Sequence, residues 1–439
     1  MKYKKVALIN PQWLYPEENW VAFPTGLAYL IPNLLDVGCE VKVFDQNVSK
    51  QLADDSYDLW AFTANSLNYE NAAAVLWEMK KRYPYVPTVI GGPHASFSIE
   101  QVKRDGFNFV IRGEGEEILK EFVTSGNLIK EFGSTSEEKF KNPDYSKFDL
   151  KKYEWHDQAM LILSSRGCPF KCNFCVTTLM HRGVRLRKVE DVEKEILDLL
   201  KCYPFKEIEF QDDVFTVNES HVQSMCEMLK GIGLPWFCET RPDTITTKKL
   251  KMMADSGCRR VAIGAETGSN VILKNMNKCF TVDTSKRAIQ MIKDAGLETE
   301  VYFVIGYEGE TEETLKETKQ FLREVRPTRA IVSVASKYPG TELWRKFIFL
   351  QNSDWEKLSQ ELKIGYGVLN MSKYVFIQPG WTLQRILKEV EGFFKVLNEV
   401  GTKSHVEDLY QTLTKLGQGI NLPEFLREKS NEYFSEERI

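Results

Sequence analysis

The sequence lacks any long run of apolar residues. Hydrophobic residues make up 43% of its 439 residues, yet the apolar run Val6 to Ile9 already ends at Asn10-Pro11. No segment approaches the ~20 consecutive apolar residues of a membrane-spanning helix, and the run near the N-terminus is too short for the core of a signal peptide. The sequence therefore predicts a cytoplasmic protein with no membrane span.

The sequence also lacks a strong net charge and an even number of cysteines. The formal net charge is −4, from 58 Lys and Arg against 62 Asp and Glu, so the chain as a whole shows no electrostatic signature of nucleic-acid binding. The nine cysteines are an odd number in a chain large enough to bury an ordinary core. They argue against a disulfide-stapled secreted protein and indicate a reducing compartment.

Three of these cysteines form the most informative motif. Cys168, Cys172 and Cys175 stand at C-x3-C-x2-C spacing, just after the apolar run Met160–Leu163, which predicts a strand. Thiolates on a short loop hold iron–sulfur clusters, usually four of them, and three would leave one iron of a [4Fe–4S] cluster open. The alternative is structural zinc, which normally takes four paired ligands. No partner pair lies nearby, because His181 is isolated in a basic segment.

Residues 1–125 alternate between strand and helix patterns. The predicted strands are Val6–Ile9, Glu40–Phe44, Leu59–Phe62, Val86–Ile90 and Phe107–Ile111, and helical patterns such as Leu27–Val37 and Tyr69–Arg82 separate them. This order predicts a doubly wound parallel sheet, an α/β fold, whose ligands bind in the loops at the carboxyl ends of the strands. No G-x-G-x-x-G follows the first strand, so a dinucleotide is not indicated.

The alternation resumes at residue 159 and continues to about residue 345. Six strands are predicted there, Met160–Leu163, Glu207–Gln211, Trp236–Glu239, Arg260–Gly264, Thr299–Ile305 and Ala330–Ala335. Six strand–helix units predict a partial (β/α)6 barrel with its chemistry at the carboxyl ends of the strands. The cysteine loop follows the first of these strands, as that rule requires.

Two further regions complete the predicted organisation. Residues 126–158 are charged and broken by Asn142-Pro143-Asp144, which predicts a connector, either an ordered crossing segment or an exposed linker. After about residue 345 the alternation stops. Helical spacing at 382–400 and 406–416 predicts that residues 346–439 form a small helical C-terminal region.

Together these motifs resemble the radical S-adenosylmethionine (SAM) superfamily, in particular its members with an N-terminal cobalamin-binding domain. The resemblance rests on the cysteine spacing with Phe174 before the third cysteine, on Gly91-Gly92-Pro93-His94 and on Gly113-Glu114-Gly115-Glu116. It covers residues 1 to about 345. One departure is that cobalamin domains with a cobalt-ligating histidine carry D-x-H-x-x-G after the first strand, whereas this chain has Asn10-Pro11-Gln12-Trp13.

The resemblance implies a [4Fe–4S] cluster, SAM and cobalamin as cofactors. The implied cluster ligands are Cys168, Cys172 and Cys175, and the implied SAM contacts are Phe174, Asp212, Asp213, Arg241 and Glu266. The implied cobalamin contacts are Asn10, Pro11, Ser66, Leu67, Asn68, Gly91, Gly92, His94, Gly113, Glu114 and Gly115.

Several of these residues have a structural alternative. The Asp212-Asp213 pair could cap the next helix, and Arg241 could pair with Glu266. We expect His94 to be a hydrogen-bonding loop residue that faces the cobalamin tail or a domain interface. Glu114 and Glu116 are expected to cap the helix that follows them, because acidic side chains suit a helix N-terminus.

The resemblance also implies an activity. A radical SAM enzyme of this type reductively cleaves SAM to a 5′-deoxyadenosyl radical, which abstracts a substrate hydrogen, and methylcobalamin then supplies a methyl group to an unactivated carbon or phosphorus centre. The alternative is a ring-forming, ring-contracting or dehydrating enzyme in which cobalamin is absent or transfers no methyl group. The expected partners are an electron donor such as flavodoxin or ferredoxin and a small-molecule or peptide substrate.

Overall fold

A computed structural model describes residues 1–12, 23–66, 68–129, 132–136, 140–153, 159–347, 381 and 383–404. The described chain forms two parallel sheets, one after the other along the sequence, each with its own helices and its own core. Leu67 and the predicted helix at 406–416 lie outside the described residues. No helix in these ranges is both long and apolar enough to cross a membrane.

The first sheet has five parallel strands in the order β2-β1-β3-β4-β5. Its strands are β1 (Lys5–Asn10), β2 (Glu40–Asp45), β3 (Leu59–Thr63), β4 (Thr88–Gly91) and β5 (Phe109–Val110). Its helices are α1 (Thr25–Asp36), α2 (Tyr69–Arg82), α3 (Pro93–Phe97), α4 (Ile99–Arg104) and α5 (Glu116–Ser125). This arrangement confirms the doubly wound prediction. The strand order reverses between β1 and β3, where such sheets bind their ligands.

The second sheet has seven strands in the order β14-β13-β12-β11-β10-β9-β6, and neighbouring strands run parallel. The strands are β6 (Ala159–Ile162), β9 (Glu207–Phe210), β10 (Trp236–Thr240), β11 (Cys258–Glu266), β12 (Glu298–Ile305), β13 (Arg329–Val334) and β14 (Lys403–Ser404). The first six confirm the predicted barrel strands. The expectation that the alternation stops after residue 345 is wrong, because β14 follows a helix and pairs with β13. Two residues are too few to show a strand period.

The barrel helices lie between and after these strands. They are α7 (Val189–Cys202), α8 (Glu219–Ile232), α9 (Thr247–Asp255), α10 (Asn270–Asn275), α11 (Val282–Asp294), α12 (Glu312–Val325), α13 (Glu342–Phe347) and α14 (Leu383–Glu399). Side-chain caps fix several of their starts. Asn218 caps α8 through the backbone N–H of His221, and Thr311 forms a reciprocal capping box with Thr314. Such caps satisfy backbone donors that a helix start otherwise leaves unpaired.

The two faces of the barrel sheet differ in polarity. One face packs against the helices through a single large core that includes Phe210, Trp236 and Phe303. On the opposite face, the carboxylates of Glu209, Glu239 and Glu300 lie near Arg260 and Tyr302. Since the helices form the outer layer of such a barrel, this polar face is its inner surface.

A small antiparallel hairpin brackets the cysteine loop. Its strands are β7 (Ser165–Arg166) and β8 (Arg185–Leu186), and the helix α6 (Thr177–Met180) lies between them. Strands of two residues carry no detectable period, so sequence patterns did not predict this hairpin. The hairpin places the segment before the three cysteines beside the segment that follows them.

The described part of the connector is an ordered crossing segment. It contains a 3-10 turn (Leu150–Lys152), and the rings of Tyr145, Phe148 and Tyr153 surround Phe23, with centroids 4.7 to 5.3 Å away. The Tyr153 hydroxyl donates a hydrogen bond to Asp45 at the end of β2, over 3.0 Å. The connector therefore packs the first sheet against the barrel.

Candidate active site

The three motif cysteines lie on one loop at the carboxyl end of β6. All three are partly exposed free thiols. Asp213 holds the loop at both ends, because its carboxylate accepts hydrogen bonds from the backbone N–H of Gly167 (2.8 Å) and from the hydroxyl of Thr177 (2.9 Å). The loop also docks on the segment after α10, where the backbone N–H of Asn173 donates to the carbonyl of Met276 over 3.0 Å.

The surroundings of these sulfurs suit a cationic metal centre. Burial raises the pKa of Cys168 to about 11 and also raises the pKa of Cys175. Thiols in such a place stay protonated unless a positive charge compensates the thiolate, and a bound metal supplies that charge. The residues of the loop therefore fit an iron–sulfur cluster held by three thiolates.

Arg241, an expected SAM contact, lies against this loop. Its Nη1 is 3.2 Å from Cys172 Sγ, and its guanidinium lies over the ring of Phe170, 3.6 Å from the centroid. Asp243 accepts hydrogen bonds from Nε and Nη2, each 3.0 Å long. The side chain is 6% exposed. The structure thus brings a buried cation to the edge of the cysteine loop.

The alternative pairing of Arg241 with Glu266 does not occur among the described residues. Glu266 instead forms an ion pair with Lys278 over 2.7 Å, and both side chains are buried. Lys278 in turn lies 5.6 Å from the centroid of the Phe174 ring. Sequence reasoning missed Lys278. The structure therefore groups two expected SAM contacts, Glu266 and Phe174, around a lysine beside the cysteine loop.

Phe174 also borders a small cavity of about 140 Å³ at the carboxyl ends of β12 and β13. Its ring meets the ring of Tyr307 edge to face, with centroids 6.1 Å apart. Tyr338 and Ser336 line the same cavity. This cavity is a candidate compartment for a small ligand next to the third cysteine.

Asp212 is not among the residues that line this cavity. It is 1% exposed, and its carboxylate accepts hydrogen bonds from the backbone N–H and hydroxyl of Ser164 (2.7 and 2.6 Å) and from the hydroxyl of Ser165 (2.6 Å). Burial raises its pKa to about 6 despite these bonds. Asp212 fixes the chain that leads into the loop. The helix-cap alternative for the pair is not formed, since Asn218 caps the next helix.

A second cavity, of about 330 Å³, lies between the carboxyl edge of the first sheet and the cysteine hairpin. Predicted cobalamin contacts that line it are Gly91, Gly92, Gly113, Glu114 and Gly115. Residues that line it from the barrel side include Ser165, Arg166, Met180, His181, Gln211 and Asp213. Gly92 has φ +97°, and a Cβ there would meet the carbonyl oxygen of Ala64 at 2.5 Å. Its glycines give the cavity a backbone wall that fits a large flat ligand such as cobalamin.

Other predicted cobalamin contacts lie in the loops around this cavity. Asn68 is buried, and its amide donates to the carbonyl of Pro11 over 3.5 Å. Asn10, at the end of β1, is also buried. The Asn68 side chain connects the loops that follow β1 and β3, whereas the Asn10 side chain hydrogen-bonds Asp45 at the end of β2.

His94 is a hydrogen-bonding residue, as expected. It is fully buried, its ring stacks on Tyr69 with centroids 4.0 Å apart, and its Nδ1 lies 3.2 Å from the hydroxyl of Ser66. His94 thus packs against Tyr69 and Ser66 of the first domain, and its expected place beside the cobalamin tail or a domain interface stays a prediction. A Gly-Pro turn in the sequence does not reveal the aromatic ring that covers its histidine.

Glu114 and Glu116 do not act as simple helix caps. The carboxylate of Glu114 accepts hydrogen bonds from Arg185 Nη1 (2.7 Å), and its Oε1 lies 2.6 Å from Nδ1 of His181. Burial disfavours the charge, but these partners and the backbone N–H of Thr135 outweigh it and hold the pKa of Glu114 well below its usual range. Glu116 pairs with Arg166. The structure corrects the cap prediction, since both acids bind basic residues of the cysteine hairpin.

Comparisons with known proteins agree with this architecture. Residues 162–322 match the radical SAM superfamily, and residues 21–123 match the B12 binding domain. The chain is 30% identical, over 403 residues, to an uncharacterized methyltransferase of Pyrococcus horikoshii, covering 81% of this chain and 86% of that protein. It is 27% identical to the anaerobic magnesium-protoporphyrin IX monomethyl ester cyclase of Rubrivivax gelatinosus, covering 86% and 74%.

The fold also matches a solved structure. The radical S-adenosylmethionine methyltransferase TsrM from Kitasatospora setae, solved with cobalamin and a [4Fe–4S] cluster bound, superposes with a TM-score of 0.66. The match covers 90% of this chain and 89% of that one at 15% identity. At this identity the likeness establishes the fold alone.

Proposed function

We propose that this chain transfers a methyl group to an unactivated carbon or phosphorus centre of its substrate. The reason is that it belongs to the family of radical SAM enzymes with an N-terminal cobalamin-binding domain. Its cofactors are a [4Fe–4S] cluster, SAM and cobalamin. When bound, they supply the reductive cleavage of SAM, the removal of a substrate hydrogen and the methyl group. The electron comes from a donor protein of the flavodoxin or ferredoxin kind.

The chain's own residues divide this work between two sites. Cys168, Cys172 and Cys175 hold the cluster, and three predicted SAM contacts, Phe174, Arg241 and Glu266, lie on or beside the cysteine loop. The glycine-lined edge of the first sheet holds cobalamin through backbone contacts, and the hairpin closes the cavity from the barrel side. The protein thereby orients the cofactors and keeps water from their reactive atoms.

One observation supports this division best. Asp213 lines the proposed cobalamin cavity and, with the same carboxylate, binds the backbone N–H of Gly167 and the hydroxyl of Thr177 in the cysteine loop. A single side chain therefore borders both sites. This closeness supports a reaction in which a radical made at one site is met by a methyl donor at the other.

The inner face of the barrel supports a polar substrate. Burial and the neighbouring carboxylate of Glu239 raise the pKa of Glu209 to about 7. Glu209 also hydrogen-bonds Gln211, which lines the proposed cobalamin cavity. The hydroxyl of Tyr302 donates to Glu239 over 2.6 Å. A surface of this kind suits a small polar molecule or a peptide side chain better than a hydrocarbon, because buried polar groups need hydrogen-bond partners.

The proposal is tested on full-length protein prepared without oxygen and supplied with iron, sulfide and cobalamin. We expect about four irons and one cobalt per chain, and formation of both 5′-deoxyadenosine and S-adenosylhomocysteine from SAM under reducing conditions. 5′-Deoxyadenosine without S-adenosylhomocysteine would replace methyl transfer by ring formation, ring contraction or dehydration. Zinc without sulfide would overturn the cluster assignment. Cys202→Ser, at an exposed cysteine away from the motif, is the matched control for Cys172→Ser.

A further inference from the structure

We propose that Arg241 is a positioning residue that sets the reduction potential of the cluster through the thiolate of Cys172. This inference rests on the proposed cluster ligands and adds a residue that tunes them. The potential of an iron–sulfur cluster depends on net charge, on hydrogen bonds to its sulfurs and on burial. Arg241 supplies a positive charge and a hydrogen bond at one sulfur.

Most hydrogen-bond donors of Arg241 are already used by neighbouring protein groups. A guanidinium has five N–H donors. Nε and Nη2 donate to the two carboxylate oxygens of Asp243, Nη2 also donates to the carbonyl of Lys278 over 2.7 Å, and Nη1 donates to Cys172 Sγ. Four of the five donors are therefore used within the protein. A two-pronged contact with the carboxylate of SAM would have to break some of these bonds.

The position of the cation is also fixed relative to the loop. Phe170 and Cys172 belong to the same loop, and Arg241 stacks on the ring of one while it donates to the sulfur of the other. On its other side the guanidinium lies 5.2 Å from the centroid of the Phe280 ring. A buried arginine held on both faces keeps its charge beside the sulfur whether or not SAM is bound.

The electrostatic consequence has a definite sign. Reduction adds a negative charge to the cluster, and a cation 3.2 Å from a ligand sulfur stabilises the reduced form, since hydrogen bonds from ionised donors are the strong ones. Arg241 therefore raises the reduction potential. Asp243, which binds the other edge of the guanidinium, partly offsets this effect. Removing one or the other charge should shift the potential in opposite directions.

The test is a redox titration of the reconstituted full-length enzyme, followed by the electron paramagnetic resonance signal of the reduced cluster, without SAM. For Arg241→Gln we expect the ratio of reduced to oxidised cluster at a fixed potential to fall about tenfold, which is a shift of 59 mV for one electron. Asp243→Asn should raise that ratio. Arg241→Lys keeps the charge but loses the stacked, branched contact, and should fall between wild type and Arg241→Gln.

Arg260→Gln is the matched control for the potential. Arg260 also lies over a phenylalanine, 4.0 Å from the centroid of the Phe237 ring, and pairs with Glu300 over 3.2 Å. These contacts lie on the inner face of the barrel, not on the cysteine loop. We expect the potential of this variant to equal that of wild type.

Equal potentials in all variants, together with weaker SAM binding by Arg241→Gln, would overturn the inference and make Arg241 a SAM contact. If Arg241→Gln fails to assemble a cluster, Arg241→Lys and Asp243→Asn still decide, because the inference requires shifts of opposite sign from them. Wild-type protein without any [4Fe–4S] cluster would instead overturn the proposed function. Failure of the inference alone is recognised by intact clusters with unchanged potentials.

Discussion

The carboxyl edges of the two sheets face each other but are built from different chemistry. The edge of the first sheet is mostly glycine and apolar side chains, and its two acids, Glu114 and Glu116, are bound to arginines of the opposite hairpin. The edge of the barrel carries buried cations next to the cysteine loop, Arg241 and Lys278. The first edge provides space for a ligand, whereas the second provides charge for a reaction.

This difference follows from what each proposed ligand requires. A macrocycle needs a flat, close approach to the backbone, which glycine permits. A redox cluster needs fixed charges in a region of low dielectric, and buried charges persist only when they are paired. Arg241 has Asp243 and Lys278 has Glu266, so the barrel edge holds each of these cations beside an acid.

The strongest test of this contrast is Cys172→Ser. We expect loss of the cluster and of 5′-deoxyadenosine formation, because only two cysteine ligands, Cys168 and Cys175, remain. Burial raises the pKa of both, so neither is stable as a free thiolate. Iron and sulfide content measures the first effect. Cobalamin binding should persist, since its proposed cavity includes none of the three cysteines. Loss of both cofactors would show that the two edges do not act separately.

The next largest effect is expected at the junction of the two edges. Glu114→Gln removes a buried carboxylate from Arg185 and His181, and breaking a buried pair costs about 3–5 kcal/mol. The free energy of unfolding in urea measures this loss. Glu78→Gln breaks an exposed pair with Arg82 (2.8 Å) and should cost less than about 1 kcal/mol. Equal losses in the two variants would contradict the bridging role of Glu114.

The same carboxylate predicts a pH dependence. The native pKa of Glu114 is held below its usual range, so the native state releases this proton at a lower pH than the unfolded state does. Its stabilising contribution is present above the usual carboxyl pKa and is lost as the pH falls below it. Acid unfolding of wild type and Glu114→Gln should therefore converge at low pH. Parallel curves down to low pH would contradict this.

Asp212 should show the opposite sign. Its native pKa is raised to about 6 from a usual value near 3.8, so the native state binds a proton that the unfolded state has released. This contribution is complete below the unfolded pKa and is lost as the pH rises from about 4 to about 6, by up to about 3 kcal/mol. Asp212→Asn should remove this part of the pH dependence, as measured by urea unfolding across that range. An unchanged pH profile would show that Asp212 does not bind this proton in the native state.

The smallest effects on stability are expected at the glycines of the first edge. Gly92→Ala has positive φ and a close carbonyl, so strain of about 1–3 kcal/mol is expected. The matched variant Gly91→Ala would place its Cβ 3.8 Å from Ile111, and should leave stability unchanged although Gly91 lines the cavity. Cobalamin affinity should fall in both variants, and unfolding should distinguish them. Unchanged cobalamin affinity in Gly91→Ala would show that cobalamin does not bind against these glycines.

Local periodicity explains what the sequence could predict of the fold. Helix α2 has the bounds that its apolar spacing predicts, because it buries one face along its whole length. The hairpin of β7 and β8 and the edge strand β14 were missed, because two residues cannot display a period. Long-range pairing, rather than local preference, determines these short strands.

The candidate site divides in the same way. The glycines at the cavity and the three cysteines could be found, because each follows a predicted strand in a short motif. The partners of the charged residues could not, since Glu114 and Arg185 are 71 positions apart and nothing in either segment indicates the other. The resemblance implies that Arg241 contacts SAM. Its hydrogen bond to Cys172 is seen only in the folded structure.

The bonds from Glu114 and Glu116 to the cysteine hairpin have a consequence for how such proteins can be recombined. The acids belong to the first domain, while Arg166, His181 and Arg185 belong to the barrel. A chimera that takes its first domain from a relative would inherit one half of these contacts without the other. The two domains are therefore exchangeable between relatives only if the acids of one and the basic residues of the other are both present in the chimera.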